Sequence, residues 1–254
     1  MSAVRFAPWV GARYAAEGFR GLRVLVVCES HYGHQRYERP TVTSEVIKAL
    51  ALNHKHPLAR RKPGRHPHFA KIMTAMHNEQ SADRFDSARR ADFWDQVAYY
   101  NFVQEFLPRH RVAPPASAWA RGVGPWREVL DVLQPEAILC FSTRNGERVK
   151  AHARGVPVAV VNHPSSSFAY PRVNPVIASC LASASQRKAT GTRASRFSAG
   201  PVFLKWQQST QTAHAAHPAM STIPADELTA ILSSWKELMA AIDVAGDSAK
   251  SQSH

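Results

Sequence analysis

Cysteine is scarce in this chain of 254 residues: Cys28, Cys140 and Cys180 are the only three. Scattered thiols of this number exclude a disulfide framework and a four-thiolate iron–sulfur cluster, and they suit a reducing compartment. Long apolar runs are missing as well. No segment reaches the ~18 apolar residues of a membrane span, and the N-terminal residues lack the continuous apolar core of a signal peptide. A cytoplasmic protein that works away from membranes is therefore expected. Acidic side chains are the third shortage, because 19 Asp and Glu face 32 Lys and Arg, for a formal net charge of +13. Such an excess favours a polyanionic partner, since each cation that meets a phosphate releases condensed counterions. Nucleic acid leads that class. A Gly-x-Ser-x-Gly elbow is absent, which argues against a Ser–His hydrolase. His54, His56, His66 and His68 form two His-x-His pairs, but they lie in a proline-broken basic stretch without carboxylate or thiolate partners. They read as a solvated loop, and neither a metal nor another cofactor is expected.

What the chain does contain is enough apolar surface for a core: 44% of its residues are hydrophobic, with aromatics spread along its length. Residues 1–244 read as a single domain and 245–254 as a disordered tail. Residues 1–20 suggest a short helix. Leu22 to Val27 is a largely β-branched run, the mark of a strand covered on both faces. Glu45 to Asn53 and Phe69 to His77 read as helices, and Val97 to Phe102 as a second strand. Pro125 to Leu133 reads as a helix with proline at its start. Ala137 to Phe141 and Val156 to Val161 supply two further strands. Residues 182–199, rich in Ser, Ala and Thr with Arg187, Lys188, Arg193 and Arg196, read as a mobile or DNA-tracking loop. Pro224 to Ile242 reads as a final amphipathic helix. Strands and helices alternating in this way predict an α/β fold of three αβα layers around a central, mostly parallel four-stranded sheet.

Two polar segments follow strand-like runs: Cys28-Glu29-Ser30-His31-Tyr32-Gly33 and His163-Pro164-Ser165-Ser166-Ser167. In an open α/β sheet the carboxyl ends of the strands line one crevice, so residues distant in sequence meet there. Glu29, His31 and His163 would bring one carboxylate and two imidazoles to that crevice. Thr143, Arg144 and Asn145, just past the third predicted strand, would face it too.

These segments, with the aromatic strand that carries Asn101, resemble the uracil-DNA glycosylase superfamily in type and in order over about residues 20–180. The resemblance implies a base-flipping enzyme that breaks a pyrimidine N-glycosidic bond through an oxocarbenium-like sugar. Glu29 and His163 would then be catalytic, the first steadying the cationic sugar and orienting water, the second stabilising negative charge on the departing pyrimidine. Asn101 falls at the base-reading position, where one amide orientation suits uracil and the other cytosine. Well-known members carry Gly-Gln-Asp-Pro-Tyr-His at the first motif, with the tyrosine closing off pyrimidine C5. Here His31 stands at that tyrosine's position and Tyr32 follows, so His31, Tyr32, Asn101, Thr143 and Arg144 form the expected substrate-binding set. At the second motif Ser165 and Ser167 would hold phosphates, and Phe168, Tyr170 or Arg172 would supply the wedge that fills the gap left by the base. The altered C5 wall points to a C5-modified pyrimidine, such as glucosylated hydroxymethylcytosine of phage DNA in an anti-phage role. Uracil excision in repair and a non-enzymatic DNA-binding module are the alternatives. The expected protein acts as a monomer on double- or single-stranded DNA.

Overall fold

A computed structural model describes residues 2–33, 35, 38–52, 66–82, 85–108, 112–191 and 197–212. Its main sheet has five strands in the order β1-β4-β2-β6-β7: β1 (Trp9–Val10), β2 (Val24–Cys28), β4 (Val97–Asn101), β6 (Ala137–Cys140) and β7 (Val158–Val160). Four of them run parallel, and β1 closes one edge antiparallel to β4. Two short strands, β3 (His31–Tyr32) and β5 (Phe106–Leu107), pair separately. The expected four-stranded sheet thus gains a fifth strand where residues 1–20 had suggested a helix. Trp9 and Val10 gain more from burial against Tyr99 and Ala98 than a short isolated helix would supply.

Seven helices lie among the described residues: α1 (Val42–Val46, running into a π turn at Ile47–Ala51), α2 (Pro67–Met76), α3 (Ser87–Gln96), α4 (Ala116–Leu133), α5 (Thr143–Ala151), α6 (Tyr170–Ala189) and α7 (Pro201–Thr212). Strand alternation assigns them to two faces. Val24, Val26, Tyr99 and Leu139 point into a cluster with Phe69, Trp94 and Ile177, from α2, α3 and α6. Leu25, Val27, Tyr100 and Ile138 point into a second cluster with Trp126, Val149 and Phe203, from α4, α5 and α7. Helices on both faces of a mostly parallel sheet make an α/β arrangement compatible with three αβα layers. None of the helices is long and apolar enough to cross a membrane.

Three boundaries differ from expectation for identifiable reasons. Helix α4 begins at Ala116, and Pro125 lies inside it. Trp119 ahead of the proline and Trp126 behind it are both buried, so packing on the sheet outweighs the hydrogen bond that Pro125 cannot donate. Gly122 permits the contact, because a β-carbon there would meet the Phe102 carbonyl oxygen at 2.7 Å. Residues 182–189, expected as loop, complete α6, with Ala184 buried against the sheet. The small side chains that hid the helical period allow that close approach. Arg187 donates to the Gly155 carbonyl and Lys188 to that of Gly21, and Lys188 also reaches Glu136 at 3.2 Å. These partners precede β7, β2 and β6, at the amino edge of the sheet, so this pair is committed far from the carboxyl edge. Arg193, Arg196, the expected helix from Pro224 and the tail from 245 lie outside the described residues.

Candidate active site

The parallel strands β2, β4, β6 and β7 all end on one edge, with Cys28 in register with Asn101 and Cys140 with Val160. Both polar motifs therefore leave the sheet from the same side. Glu29, the first residue past β2, is 6% exposed. Ser142, two residues past β6, caps α5 by accepting the Asn145 N–H at 3.3 Å, and it donates to Glu29 Oε2 at 3.1 Å. Arg144 Nη1 lies 3.4 Å from Glu29 Oε1 with its side chain half exposed. Asn145 Nδ2 donates to the Cys28 carbonyl at 3.5 Å, which ties the start of α5 to the backbone that carries Glu29. Neither Ser142 nor this role for Asn145 was expected from sequence. A serine three residues before an asparagine, just after a strand, is the N-cap signal that marks them. Thr143 is exposed on the first turn of α5.

His163 enters from the loop after β7. Its Nδ1 accepts the Ser165 backbone N–H at 3.2 Å, which requires a lone pair there and leaves the proton of the neutral ring on Nε2. Burial, Arg144 and Lys71 push its pKa down to about 4. The loop is fixed by the Ser166 N–H to the His163 carbonyl (2.8 Å), Asn162 Nδ2 to the Ser167 carbonyl (3.0 Å) and Lys71 Nζ to the Pro164 carbonyl (2.8 Å). Ser165 and Ser167 stand exposed at its tip. Phe168 and Tyr170 do not stand free: Phe168 stacks on Phe141 with 6.4 Å between centroids, Tyr170 meets its edge, and both pack on the core. The apolar face of Phe141 offers these rings more than water does. Of the three wedge candidates only Arg172 is exposed.

His31 and Tyr32 point to opposite sides of β3, as consecutive strand residues must. His31 is buried between Phe6 and Phe106 with its Nε2 3.0 Å from Thr43 Oγ1, in a small cluster away from Glu29. Tyr32 lies on the Glu29 side: burial raises its phenol pKa, Glu29 adds to the rise and Arg144 opposes it.

Asn101 ends β4 and is 2% exposed. Its Oδ1 accepts from the Tyr99 hydroxyl at 3.4 Å, and its backbone carbonyl accepts from Gln104 Nε2 at 2.7 Å. Behind Tyr99 sits His68, with Nε2 3.5 Å from the Tyr99 oxygen and 3.7 Å from Cys28 Sγ, and with its ring 4.9 Å from that of His163. His66 and His68 are therefore not part of a solvated loop. His66 is buried, and Pro67 opens α2 and carries His68 under the sheet edge. Proline at a first helical position was the available signal. His54 and His56 lie outside the described residues. Among the described residues no group of three or more His, Cys, Asp or Glu is arranged to hold a metal ion.

One edge thus brings together a buried carboxylate, a neutral imidazole whose Nε2–H is directed by its own loop, and a buried amide. Together they can steady positive charge, donate to a developing anion and read a hydrogen-bonding edge. Searches against protein-family models, curated proteins and solved structures gave no match.

Two of the four depressed histidines among the described residues make a prediction about stability. Burial pushes His31 down to about 3 and His163 is held at about 4, whereas unfolded histidine titrates near 6.5. Between those values the unfolded chain binds more protons, so stability falls as pH falls from about 6.5 and is unaffected by these groups above it. His31 alone contributes a slope of up to about 1.4 kcal/mol per pH unit. Denaturant titrations from pH 8 to 4.5 are expected to show a smaller acid slope in His31→Gln, which keeps a donor for Thr43. Equal slopes in the two proteins would exclude His31 as a source.

Proposed function

We propose that the protein is a monofunctional DNA glycosylase of the uracil-DNA glycosylase type, which flips a pyrimidine nucleotide and hydrolyses its N-glycosidic bond to leave an abasic site. The observation that carries this reading is the neutral His163, whose Nδ1 accepts from Ser165 and whose Nε2–H has no partner among the described residues, on the same sheet edge as the buried Glu29. Breaking the bond from C1′ to the base nitrogen leaves its electron pair on the pyrimidine and positive charge on the sugar. A fixed donor suits the first and a carboxylate the second. Water then adds to C1′ and gives one proton to Glu29, and that proton passes through solvent to the departing base anion, which restores the carboxylate. A pure binding module has no need of a buried carboxylate on the same sheet edge as such a donor.

The kind of base turns on two neighbouring side chains: histidine at the tyrosine-wall position suggests a C5-modified pyrimidine, whereas Tyr32, whose phenol feels the Glu29 charge, offers an aromatic wall one position later. An aromatic wall favours uracil over a glucosylated hydroxymethylcytosine. Oligonucleotides carrying uracil, 5-hydroxymethylcytosine or its glucosylated form, incubated with the protein and then treated with alkali, are expected to break at uracil. Breaks only at the glucosylated base restore the anti-phage reading, and breaks at none overturn the enzyme. Borohydride is expected to trap no protein–DNA cross-link, since Lys71 is engaged by the Pro164 carbonyl.

Asn101→Ala is expected to lower discrimination between bases by at least about tenfold while leaving affinity for unmodified DNA within about twofold, because a lost buried amide affects only the base it reads. Equal losses on modified and unmodified DNA remove Asn101 from base reading.

A further inference from the structure

Asn101 can read a base only if its amide is held one way round, because the two orientations exchange donor and acceptor. The backbone at Asn101 is fixed by its register with Cys28 and by Gln104 on its carbonyl, so the remaining freedom is rotation of the amide itself. On the side chain, the Tyr99 hydroxyl reaches Oδ1, while Nδ2 has no hydrogen-bond partner among the described residues. Tyr99 is two residues earlier on the same face of β4, is 3% exposed, and has His68 on its other side.

Resting on the glycosylase reading, we propose that Tyr99 is a specificity-determining residue, which with His68 behind it locks the Asn101 amide in one orientation and so decides between uracil and cytosine. The lock requires one polarity: the Nε2–H tautomer of His68 donates to the Tyr99 oxygen 3.5 Å away, the Tyr99 O–H donates to Asn101 Oδ1 at 3.4 Å, and Nδ2 is left as the donor offered to the base. A phenol that accepts from a histidine has its only proton available for Oδ1, so the amide nitrogen cannot take that place. The arrangement keeps Tyr99 and His68 out of contact with the reacting atoms. They act through Asn101 as positioning residues. Burial keeps both uncharged, raising the Tyr99 phenol well above its ordinary range and lowering His68 well below its own.

The test compares single-turnover excision from two oligonucleotides that differ only in carrying uracil or cytosine opposite guanine. Wild-type protein is expected to separate the two rates by at least about 100-fold. Tyr99→Phe, which removes only the hydroxyl, is expected to shrink that ratio by at least about tenfold, because the amide is then free to present either face. General damage to the site slows both reactions together and leaves the ratio intact, so an unchanged ratio overturns the proposal. His68→Leu, which removes the donor behind Tyr99, gives the same readout should Tyr99→Phe not fold, and His68→Gln, whose amide restores a donor, is expected to recover part of the ratio. Wild-type protein that excises neither base fails at the prior step, the glycosylase reading itself.

Discussion

His163→Ala is expected to lower the single-turnover excision rate about 10²- to 10³-fold, with DNA affinity changed by no more than a few-fold. The magnitude is that of one preorganised donor to a developing anion, about 3–4 kcal/mol of barrier. Preorganisation is visible in how the ring is held. Ser165 N–H occupies Nδ1, the loop closes on the His163 carbonyl through Ser166, and Lys71 pins the following proline. Nothing has to rotate when charge appears on the leaving base. Burial and the nearby cations Arg144 and Lys71 keep the ring neutral, with a pKa of about 4. The donor is therefore the same at pH 5 as at pH 8, and the wild-type rate is expected to show no inflection near 6.5 from this histidine. His163→Gln, which retains an N–H donor at similar reach, is expected to recover part of the loss. A rate that follows a titration near 6.5, or that survives in His163→Ala, removes the imidazole from the chemistry.

The parts of this site that were legible in the sequence are those fixed by strand ends. β-Branched runs at Leu22 to Val27 and Val156 to Val161 announced their strands, and residues just past a parallel strand's carboxyl end have few other places to go. Glu29 and His163 follow from that rule, and Asn101 from the resemblance. The rest depends on which side of an element a residue takes. His31 and Tyr32 differ by one position on a two-residue strand, and only the partners Thr43, Phe6 and Phe106 decide that the histidine turns inward. Phe168 and Tyr170 look free in a serine-rich loop until Phe141, a residue of another strand end, covers the first of them. His68 was concealed for the opposite reason, since its basic and proline-rich neighbours suggest water whereas α2 carries it beneath the sheet edge. Tertiary contacts across sheet layers, absent from any local window, make all of these choices.

Glu29→Gln is expected to slow excision by at least about tenfold while DNA affinity stays within about twofold, the signature of a group that acts mainly in the transition state. Glutamine keeps the shape and can still accept from Ser142, so the Ser142 hydroxyl and the cap of α5 are not orphaned. What is lost is the negative charge that, on the proposed reading, steadies the cationic sugar. The charge is well placed to count. Glu29 is 6% exposed, where Coulomb interactions are screened less than in water, and its countercharge Arg144 sits at 3.4 Å on a half-exposed side chain. On the proposed glycosylase reading, a phosphate of the bound strand would compete for that guanidinium from the solvent side and leave the carboxylate stronger toward the sugar. The loss in Glu29→Gln is accordingly expected to appear in the chemical step measured with enzyme in excess, at saturating protein. A single-turnover rate equal to wild type, with the variant folded by circular dichroism, would remove Glu29 from the mechanism and leave only its role as the partner of Ser142 and Arg144.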